Sequence, residues 1–496
     1  MTDDVRVDVA IVGNGVVGLS IALELARRGP GVRVAVIGPP GRAGAASAAA
    51  GAMLNCFGEV TGRTTAHEAG LAKLRLCREA LDAWPGWLED LAEEAAEPGL
   101  PGYFRPGTFV VLNTRSGRLD EDNFHATRAA LAGAGEPYEE VEPRDIVGLD
   151  PVPGARPLRA MFLRREGAID ARRVLAALGR AAGRYGVLGV PVEAESLLVT
   201  EDRVTGVRLA GGGVVSAGAV VVAAGAFSGR FLGVLPPGAV PPLLSGVGIS
   251  VETRRVRPPG FEHVVRTPNR SGSCGLHVVP LGDGLEYIGA TNIVSRSPVH
   301  EPGLGMTQFL LQCAREQLDH RLFHSLAGRW MVGNRPVALD GFPLFGGTSL
   351  GGLSLAAGTY RDGFHCSPVL AGRVAEQVLS ASAVVEGLEL FRPERAPIET
   401  MSVEESVAEF AYHGVCGAFE GGLELPSWID PQALEPVYRQ AAEVLYGRME
   451  VPVALPPEMV MHLSLNAASQ DDVESVAGYL KSAAAYHAGS SGPDRR

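Results

Sequence analysis

A glycine-rich turn near the start of the chain constrains its fold more than any other feature. Residues 7–12 form a short β-branched run, and the G-x-G-x-x-G pattern of residues 13–18 follows at once. The segment 19–28 then places small and apolar residues on one helical face, and residues 32–37 predict a second strand. Glycine at these positions permits a tight turn and a close approach of backbone to a pyrophosphate. The pattern therefore predicts a βαβ unit that binds a dinucleotide.

The end of the second predicted strand departs from this pattern. In dinucleotide-binding units an acidic residue there bonds the adenosine ribose, but this chain has Gly38, followed by Pro39 and Pro40. Two interpretations stay open. Either backbone groups or Arg42 hold the ribose, or the fingerprint is partly degenerate.

Composition excludes several classes of function. The chain of 496 residues has 44 basic and 56 acidic residues and a formal net charge of −12, which argues against nucleic-acid binding. Its six cysteines are dispersed without a C-x-x-C pair, so we expect reduced thiols and no metal site. The acidic N-terminus and the interrupted apolar stretch 9–25 predict neither a secretory leader nor a membrane span. We therefore expect a soluble cytoplasmic protein.

The other predicted elements are dispersed along the chain. Residues 170–185 predict a helix, residues 199–209 and 214–223 two strands, and residues 352–357 and 371–379 a further strand and helix. Residues 246–291 alternate as antiparallel strands do. The fold class is α/β, or α+β overall, because this dispersal predicts a Rossmann-like domain with an inserted antiparallel-sheet substrate domain.

Beyond Ser382 the pattern of predicted strands and helices gives way to a linker-like segment and amphipathic stretches. Residues 392–397 predict a linker, two amphipathic stretches at 431–446 and 472–485 predict helices, and residues 489–496 predict a frayed end. We therefore expect a C-terminal helical extension. The predicted division is 1–85, 160–235 and 335–390 for the nucleotide-binding domain, 86–159 and 236–334 for the substrate domain, and 391–496 for the extension.

Small residues dominate the segment 46–54, which reads A-S-A-A-A-G-A-M-L. Small side chains let the backbone lie flat against a ring system, and Met53 is placed to cover one face of it. At this segment the chain resembles the FAD-dependent D-amino-acid oxidase superfamily, and within it the glycine oxidase and sarcosine oxidase branch. One residue more than the family pattern, Ala52, stands between Gly51 and Met53.

Three further motifs carry the resemblance in family order. Residues 166–170 resemble the family's G-x-[IV]-D entry to a helix, and residues 220–228 resemble its V-V-x-A-x-G-x-[WF]-S strand and turn beside the cofactor. Residues 335–343 and 358–363 resemble its R-P-x-x-x-D-G-x-P and G-x-x-R-N-G motifs. The resemblance covers about the first 380 residues and leaves the extension unexplained.

The resemblance implies FAD as cofactor, held without a covalent bond because the segment 335–343 lacks the cysteine that links flavin in some sarcosine oxidases. By this resemblance the cofactor-binding residues are Gly13, Gly15, Val16, Val17, Gly18, Arg42, Ser47, Gly51, Met53, Ala224, Gly225, Gly358, Arg361, Asp362, Gly363 and Phe364.

Three residues are implied as catalytic. Arg335 occupies the position of the arginine that clamps the substrate carboxylate, a task that suits a planar and permanently charged fork. Arg361 matches the arginine beside flavin and substrate. His277 stands where glycine oxidase-like chains often place a tyrosine, and it is either a buried structural residue or a group that bonds substrate or supplies charge when protonated.

Charged residues near these motifs complete the expectations. Asp362 replaces the family's asparagine, and we expect it to point away from the flavin or to pair with an arginine. Glu59 predicts solvated surface. The chain has two lysines, Lys73 and Lys481, and neither matches the position from which some relatives promote oxygen reduction.

The resemblance implies an amine oxidase for glycine-type amino acids or N-substituted glycines. The α-hydrogen passes as hydride to the flavin, the imine hydrolyses with cleavage of the C–N bond, and O2 is reduced to H2O2. A D-amino-acid oxidase, a flavin dehydrogenase with another electron acceptor, and a flavin-stabilised scaffold for a protein partner stay open as alternatives. The extension is open to a role as a cap over the site or as a homodimer contact.

Overall fold

The computed structural model describes residues 5–115, 117–272, 274–465 and 469–490. In these ranges the strands are β1 Val5–Val12, β2 Val34–Ile37, β3 Met53–Leu54, β4 Arg105–Asn113, β5 Tyr138–Val141, β6 Pro157–Ala168, β7 Leu188–Val190, β8 Ala194–Thr200, β9 Arg203–Leu209, β10 Val214–Val222, β11 Leu243–Arg254, β12 Val264–Arg266, β13 His277–Gly282, β14 Leu285–Gly289, β15 Ile293–Ser295, β16 Leu326–Ala338, β17 Leu344–Gly347 and β18 Leu353–Ala357. The α-helices are α1 Val16–Arg28, α2 Ala46–Ala49, α3 Glu68–Glu94, α4 Arg118–Ala134, α5 Ala171–Arg184, α6 Leu304–Gln317, α7 Ser367–Leu379, α8 Val403–Glu420, α9 Glu435–Met449, α10 Pro457–Ser464 and α11 Gln470–Ser490.

The first sheet is built around the glycine-rich turn. Its main order is β17-β18-β10-β1-β2-β7, and the pairs from β18 to β7 are parallel. Helices α1, α5 and α7 pack against one face through a shared apolar core. Because the carboxyl ends of parallel strands meet at one edge, the ends of β1, β2 and β10 converge where Gly13 donates its N–H to Ile37 O at 2.8 Å. The predicted βαβ unit is confirmed.

The second sheet has ten strands and is mostly antiparallel. Its longest pair, β11 with β16, runs along nearly the whole length of both strands and places Gly246 opposite Arg335. Strands β13 and β14 lie beside β11 in the order β11-β14-β13. The predicted combination of a Rossmann-like sheet, an antiparallel sheet and C-terminal helices is confirmed, whereas the residue numbers proposed for the domain boundaries stay predictions.

The segment 199–209 differs from its prediction. The helix predicted at 170–185 is α5, but the single strand predicted at 199–209 is wrong. The chain instead turns at Glu201 and Asp202, where Glu201 adopts a left-handed φ of 56°, and forms the hairpin β8–β9. Four consecutive polar residues, 200–203, mark this turn in the sequence, and the prediction of one continuous strand overlooked them.

The C-terminal extension contains two helices that the sequence analysis missed. The predicted amphipathic stretches correspond to α9 and α11, whereas α8 and α10 were not predicted. A signal for α8 was present, since Ser402 and Glu405 form a reciprocal capping box at its start. The frayed end predicted at 489–496 lies largely outside the described residues.

The four helices of the extension share one apolar cluster with the rest of the protein. Phe410 of α8 and Val460 of α10 belong to the same buried cluster as Leu244, Val337 and Tyr360. The extension therefore packs against the ends of β11 and β16 and is continuous with the core. Within the described residues, no helix is long and apolar enough to cross a membrane.

The segment predicted as a linker is pinned by a buried ion pair. Arg395 and Asp340 are paired and nearly inaccessible to solvent, with side chains 5% and 1% exposed. The same carboxylate accepts N–H groups from Phe342 at 3.1 Å and Ile398 at 2.9 Å. Residues 392–397 connect the family region to the extension without a helix or strand, as predicted for a linker, and the buried pair fixes them to the turn after β16.

Removal of the Arg395 side chain should destabilise the fold. Arg395→Ala leaves the Asp340 carboxylate buried without its cation, and we expect the free energy of unfolding to fall by about 3 kcal/mol. Chemical denaturation of the purified protein measures this. Arg33→Ala breaks an exposed pair with Asp8 and should change the midpoint little; equal effects of the two substitutions would contradict the argument.

Candidate active site

An elongated cavity of about 660 Å³ lies between the two sheets. One end is formed by the glycine-rich turn and the start of α1, and the other by β13, β14, β16 and the turn after β18. Apolar and small residues line most of its length. The cavity therefore joins the predicted dinucleotide edge to the predicted catalytic residues.

The glycines at the first end are required by backbone contacts. A side chain on Gly13, whose φ is 120°, would place its Cβ 2.3 Å from Ala223 O, and one on Gly18 would place it 2.0 Å from Gly13 O. The Val16 N–H at the start of α1 points to Ser47 Oγ at 3.1 Å. A helix N-terminus open to the cavity suits a pyrophosphate.

The space beside Gly38 is taken by the side chain of Asn14. A Cβ on Gly38 would lie 2.6 Å from Cγ of Asn14, whose amide donates to Pro39 O at 2.9 Å. Arg42 has a left-handed φ of 47°, lines the cavity and donates from Nε to Asn14 O at 2.8 Å. Glu193, which the sequence analysis missed, also lines this end, paired with Arg230 at 2.6 Å.

The small residues of segment 46–53 form one wall of the cavity. The Tyr287 hydroxyl donates to Ala49 O at 3.0 Å, and a Cβ on Gly51 would lie 2.8 Å from the Tyr287 ring. The additional residue Ala52 takes a left-handed φ of 44°. Met53 then pairs with Ala168 in the second sheet and lines the cavity.

Glu59 is the centre of a buried charge cluster. Its carboxylate contacts Arg266 at 2.6 Å and Arg361 at 3.4 Å, and the Arg266 side chain is completely buried. Burial alone would raise the pKa of Glu59, but the charges of Arg266 and Arg361 outweigh it and lower that pKa to about 2. The prediction that Glu59 is solvated surface is wrong, because the carboxylate neutralises Arg361 inside the site.

Asp362 pairs with a lysine and not with an arginine. Lys73 Nζ on α3 lies 2.8 Å from Asp362 Oδ2. Burial would lower the pKa of Lys73, but the Asp362 carboxylate holds it above its ordinary value, so both groups are charged. The expected arginine partner is wrong, and one of the two lysines stands just behind the cavity wall.

Arg335 lies beside two residues that bind each other. Its Nη1 donates to Thr291 O and to Asn292 Oδ1, both at 3.1 Å, and Asn292 Nδ2 donates to the Tyr360 hydroxyl at 2.7 Å. Gly248 makes room for the guanidinium, since a Cβ there would lie 2.5 Å from Nη2. Among the described residues, no carboxylate lies within the 4.0 Å that defines an ion pair with Arg335.

His277 is buried and lines the cavity. Its Nδ1 lies 3.0 Å from Gly275 O, which can only accept, so Nδ1 carries the hydrogen and the neutral ring has its lone pair on Nε2. Burial lowers the pKa of His277 to about 4. Of the roles expected for His277, this favours the neutral ring as a hydrogen-bonding group at neutral pH.

The structure brings nearly all predicted site residues to this one cavity. Those that line it are Gly13, Gly15, Val16, Val17, Arg42, Ser47, Gly51, Met53, Ala224, Gly225, His277, Arg335, Arg361, Asp362, Gly363 and Phe364. Gly18 and Gly358 stand behind it and shape its turns. Asn292 and Tyr360 were missed. Tyr360 lies inside the motif of residues 358–363, so its position in the sequence could have identified it, and its left-handed φ of 50° is typical of a residue at a functional site. No sequence signal singles out Asn292.

Comparisons with known proteins identify similar chains among FAD-dependent oxidoreductases. Residues 8–377 match the DAO family model, described as FAD dependent oxidoreductase. The chain is 31% identical over 382 residues to glycine oxidase of Geobacillus kaustophilus, covering 75% of this chain and 93% of that protein. It is 28% identical to the bifunctional protein ThiO/ThiG of Trichormus variabilis, over 75% of this chain and 52% of that longer protein.

Solved structures show the same fold. The crystal structure of Geobacillus kaustophilus glycine oxidase is 25% identical, with a TM-score of 0.65 over 79% of this chain and 99% of that one. Iminodiacetate oxidase from Chelativorans sp. BNC1 is 22% identical, with a TM-score of 0.65 over 79% of this chain and all of that one. The C-terminal extension lies beyond the part that the family model matches.

The buried His277 should make stability depend on pH. Its folded pKa of about 4 is below the ordinary value of 6.5, so its contribution to stability is complete above pH 6.5 and is lost as the pH falls toward 4. His277→Gln should therefore lose stability less steeply than the wild type between these values. Denaturation midpoints at pH 7 and 5 test this, with the exposed His324→Gln as control; parallel curves for wild type and His277→Gln would contradict it.

Proposed function

The chain belongs to the DAO family of FAD-dependent oxidoreductases, and from this premise we propose that it oxidises small amines bearing a carboxylate. Glycine and N-substituted glycines are the proposed substrates. The observation that carries the proposal is the Arg335 guanidinium on the cavity wall, with no carboxylate paired to it among the described residues. A permanent cation in such a place binds a substrate carboxylate.

The cavity fits FAD on observations of its own. Gly13 and Gly18 leave no space for a Cβ against the neighbouring backbone, so the turn stays tight and the N-terminus of α1 is held at the cavity. Residues 46–53, most of them small, supply one wall of the cavity. FAD supplies the two-electron oxidation when bound, and the segment 335–343 holds no cysteine, which supports a non-covalent cofactor.

The residues around Arg335 define how a carboxylate is oriented. Asn292 donates to the Tyr360 oxygen, so the Tyr360 hydroxyl hydrogen points elsewhere and can bond the same carboxylate as Arg335. Two donors on one carboxylate fix its direction as well as its position. Arg361 has the Glu59 carboxylate beside it at 3.4 Å, whereas Arg335 is bonded to neutral acceptors, and we therefore assign Arg361 to the cofactor side and Arg335 to the substrate carboxylate.

His277 supports recognition of the amine. Its Nε2 lone pair accepts a hydrogen bond, and a neutral acceptor stabilises an amine N–H without repelling it. The low pKa of His277, which burial causes, keeps this acceptor available at neutral pH. O2 as electron acceptor, a cytoplasmic location and a homodimer belong to the same proposal; the relatives named oxidases support the first of these.

The purified protein should be yellow, and its flavin absorbance should bleach anaerobically with an accepted amine. Glycine, sarcosine, bulkier N-substituted glycines and D-amino acids form the panel. In air, one H2O2 per substrate oxidised identifies an oxidase, whereas reduction without peroxide identifies a dehydrogenase. A colourless protein that binds no FAD on reconstitution would end the proposal, and bound flavin that no member of the panel reduces would favour a scaffold.

Arg335→Ala should raise KM roughly a hundredfold, because loss of a half-buried charged donor on the cavity wall removes about 3 kcal/mol of binding. Flavin content should stay unchanged, since Arg335 stands at the substrate end. Steady-state kinetics with the best substrate of the panel measures the effect. Arg329→Ala, an exposed arginine on the same strand, is the matched control; unchanged kinetics in Arg335→Ala would remove Arg335 from the site.

A further inference from the structure

Helix α8 of the C-terminal extension fastens a turn in the second sheet. The Ser271 N–H donates to Glu420 Oε1 at 3.2 Å, and Ser271 Oγ donates to His413 O at 2.5 Å. The next residue, Gly272, donates its N–H to His413 Nδ1 at 3.2 Å. Three hydrogen bonds therefore tie two consecutive residues to one helix.

Gly417 shows how closely the helix and the turn approach. A Cβ at this position would lie 2.7 Å from Ser271 Oγ, so a side chain there would displace the Ser271 hydroxyl. On the other side, a Cβ on Gly272 would lie 3.3 Å from Met461 Sδ of α10. Helices α8 and α10 thus both pack against this turn.

The same turn continues into the substrate site. The Gly272 carbonyl accepts a hydrogen bond from Asn292 Nδ2 at 3.2 Å. Asn292 is the residue that joins the Tyr360 hydroxyl to the Arg335 guanidinium. Hydrogen bonds to the N–H and the C=O of Gly272 therefore connect His413, through this one residue and Asn292, to Arg335.

His413 is suited to this position only in its neutral form. Because Nδ1 accepts from a backbone N–H, the ring hydrogen is on Nε2. Burial lowers the pKa of His413 to about 4, so the acceptor persists at neutral pH. Nothing else in the described part of the chain is bonded to the Gly272 N–H.

The contact comes from outside the shared part of the family. The family match ends at residue 377, and α8 begins at Val403. The Geobacillus glycine oxidase structure is covered over 99% of its length by 79% of this chain. His413 therefore acts from a segment that this chain has in addition.

We propose that His413 is a positioning residue for the two groups, Arg335 and Tyr360, that bind the substrate carboxylate. His413 holds Asn292 in place through Gly272 and thereby sets the direction of the Arg335 and Tyr360 donors. The inference rests on the proposed function, since it concerns the binding of a substrate carboxylate. It assigns the extension a part in substrate binding that the matched family region does not contain.

Three variants of the holoprotein test the proposal. His413→Phe keeps a ring and removes the acceptor, whereas His413→Asn restores an acceptor oxygen near the position of Nδ1. The probe is acetate, a carboxylate without an amine, titrated against the flavin absorbance spectrum. We expect His413→Phe to weaken acetate binding about tenfold and His413→Asn to recover most of it. Tyr412 is on the same helix as His413 and bonds Asp122 of α4. Tyr412→Phe loses that bond and should bind acetate as the wild type does.

Kinetics and a second substitution separate positioning from general destabilisation. With the best amine of the panel, His413→Phe should raise KM by a similar factor and leave kcat nearly unchanged. Gly417→Ala displaces the Ser271 hydroxyl that donates to His413 O and leaves the His413 side chain unchanged; it should also weaken acetate binding, which tests the proposal even if His413→Phe does not fold. Gly447→Ala on α9, where a Cβ meets nothing within 4 Å, is its control.

The outcomes distinguish this inference from the proposed function. Wild-type affinity for acetate in both His413→Phe and Gly417→Ala overturns the positioning role and leaves the function standing. Equal losses in His413→Phe and His413→Asn also overturn it, because the acceptor would then be irrelevant. A wild-type holoprotein that neither binds acetate nor is reduced by any amine of the panel overturns both.

Discussion

The close approach of β1 to the end of β10 is the constraint on which the rest of the structure depends. Gly13 leaves no space for a side chain against the Ala223 carbonyl, and Ala223 returns its N–H to Val12 O at 2.8 Å. Two segments about two hundred residues apart thus share one edge. That edge fixes the start of α1 and the turn after β10, which form one end of the cavity. The second sheet forms the opposite walls.

Charge is distributed unevenly along the cavity. The Glu59 carboxylate contacts both Arg266 and Arg361, and Asp362 is paired with Lys73. Among the described residues, Arg42 at the dinucleotide end and Arg335 at the other end line the cavity without a carboxylate at ion-pair distance. A half-buried guanidinium bonded only to neutral acceptors favours the arrival of an anion, and this is the basis for proposing Arg335 as the group that binds the substrate carboxylate.

Much of this could be predicted from the sequence, and the failures share a cause. Local patterns identified the glycine-rich turn, the parallel sheet and Arg335, because each is encoded within a few neighbouring residues. Glu59, Lys73 and Asn292 acquire their roles from partners 43 to 302 positions away, and no local pattern shows such pairings. The hairpin at Glu201 was missed although the polar residues 200–203 interrupt the apolar pattern there, and α8 was missed although its capping box could have been read.

The shared core of Tyr360 and the C-terminal helices has a thermodynamic consequence. Tyr360 packs in one cluster with residues of α8 and α10, so the free energy that orders those helices and the free energy of occupying the site are linked. Linkage is reciprocal: a carboxylate at Arg335 tightens the hold on the extension by the same factor by which the extension improves binding. Amide hydrogen exchange in the helices of the extension should then be slower when a carboxylate is bound at Arg335.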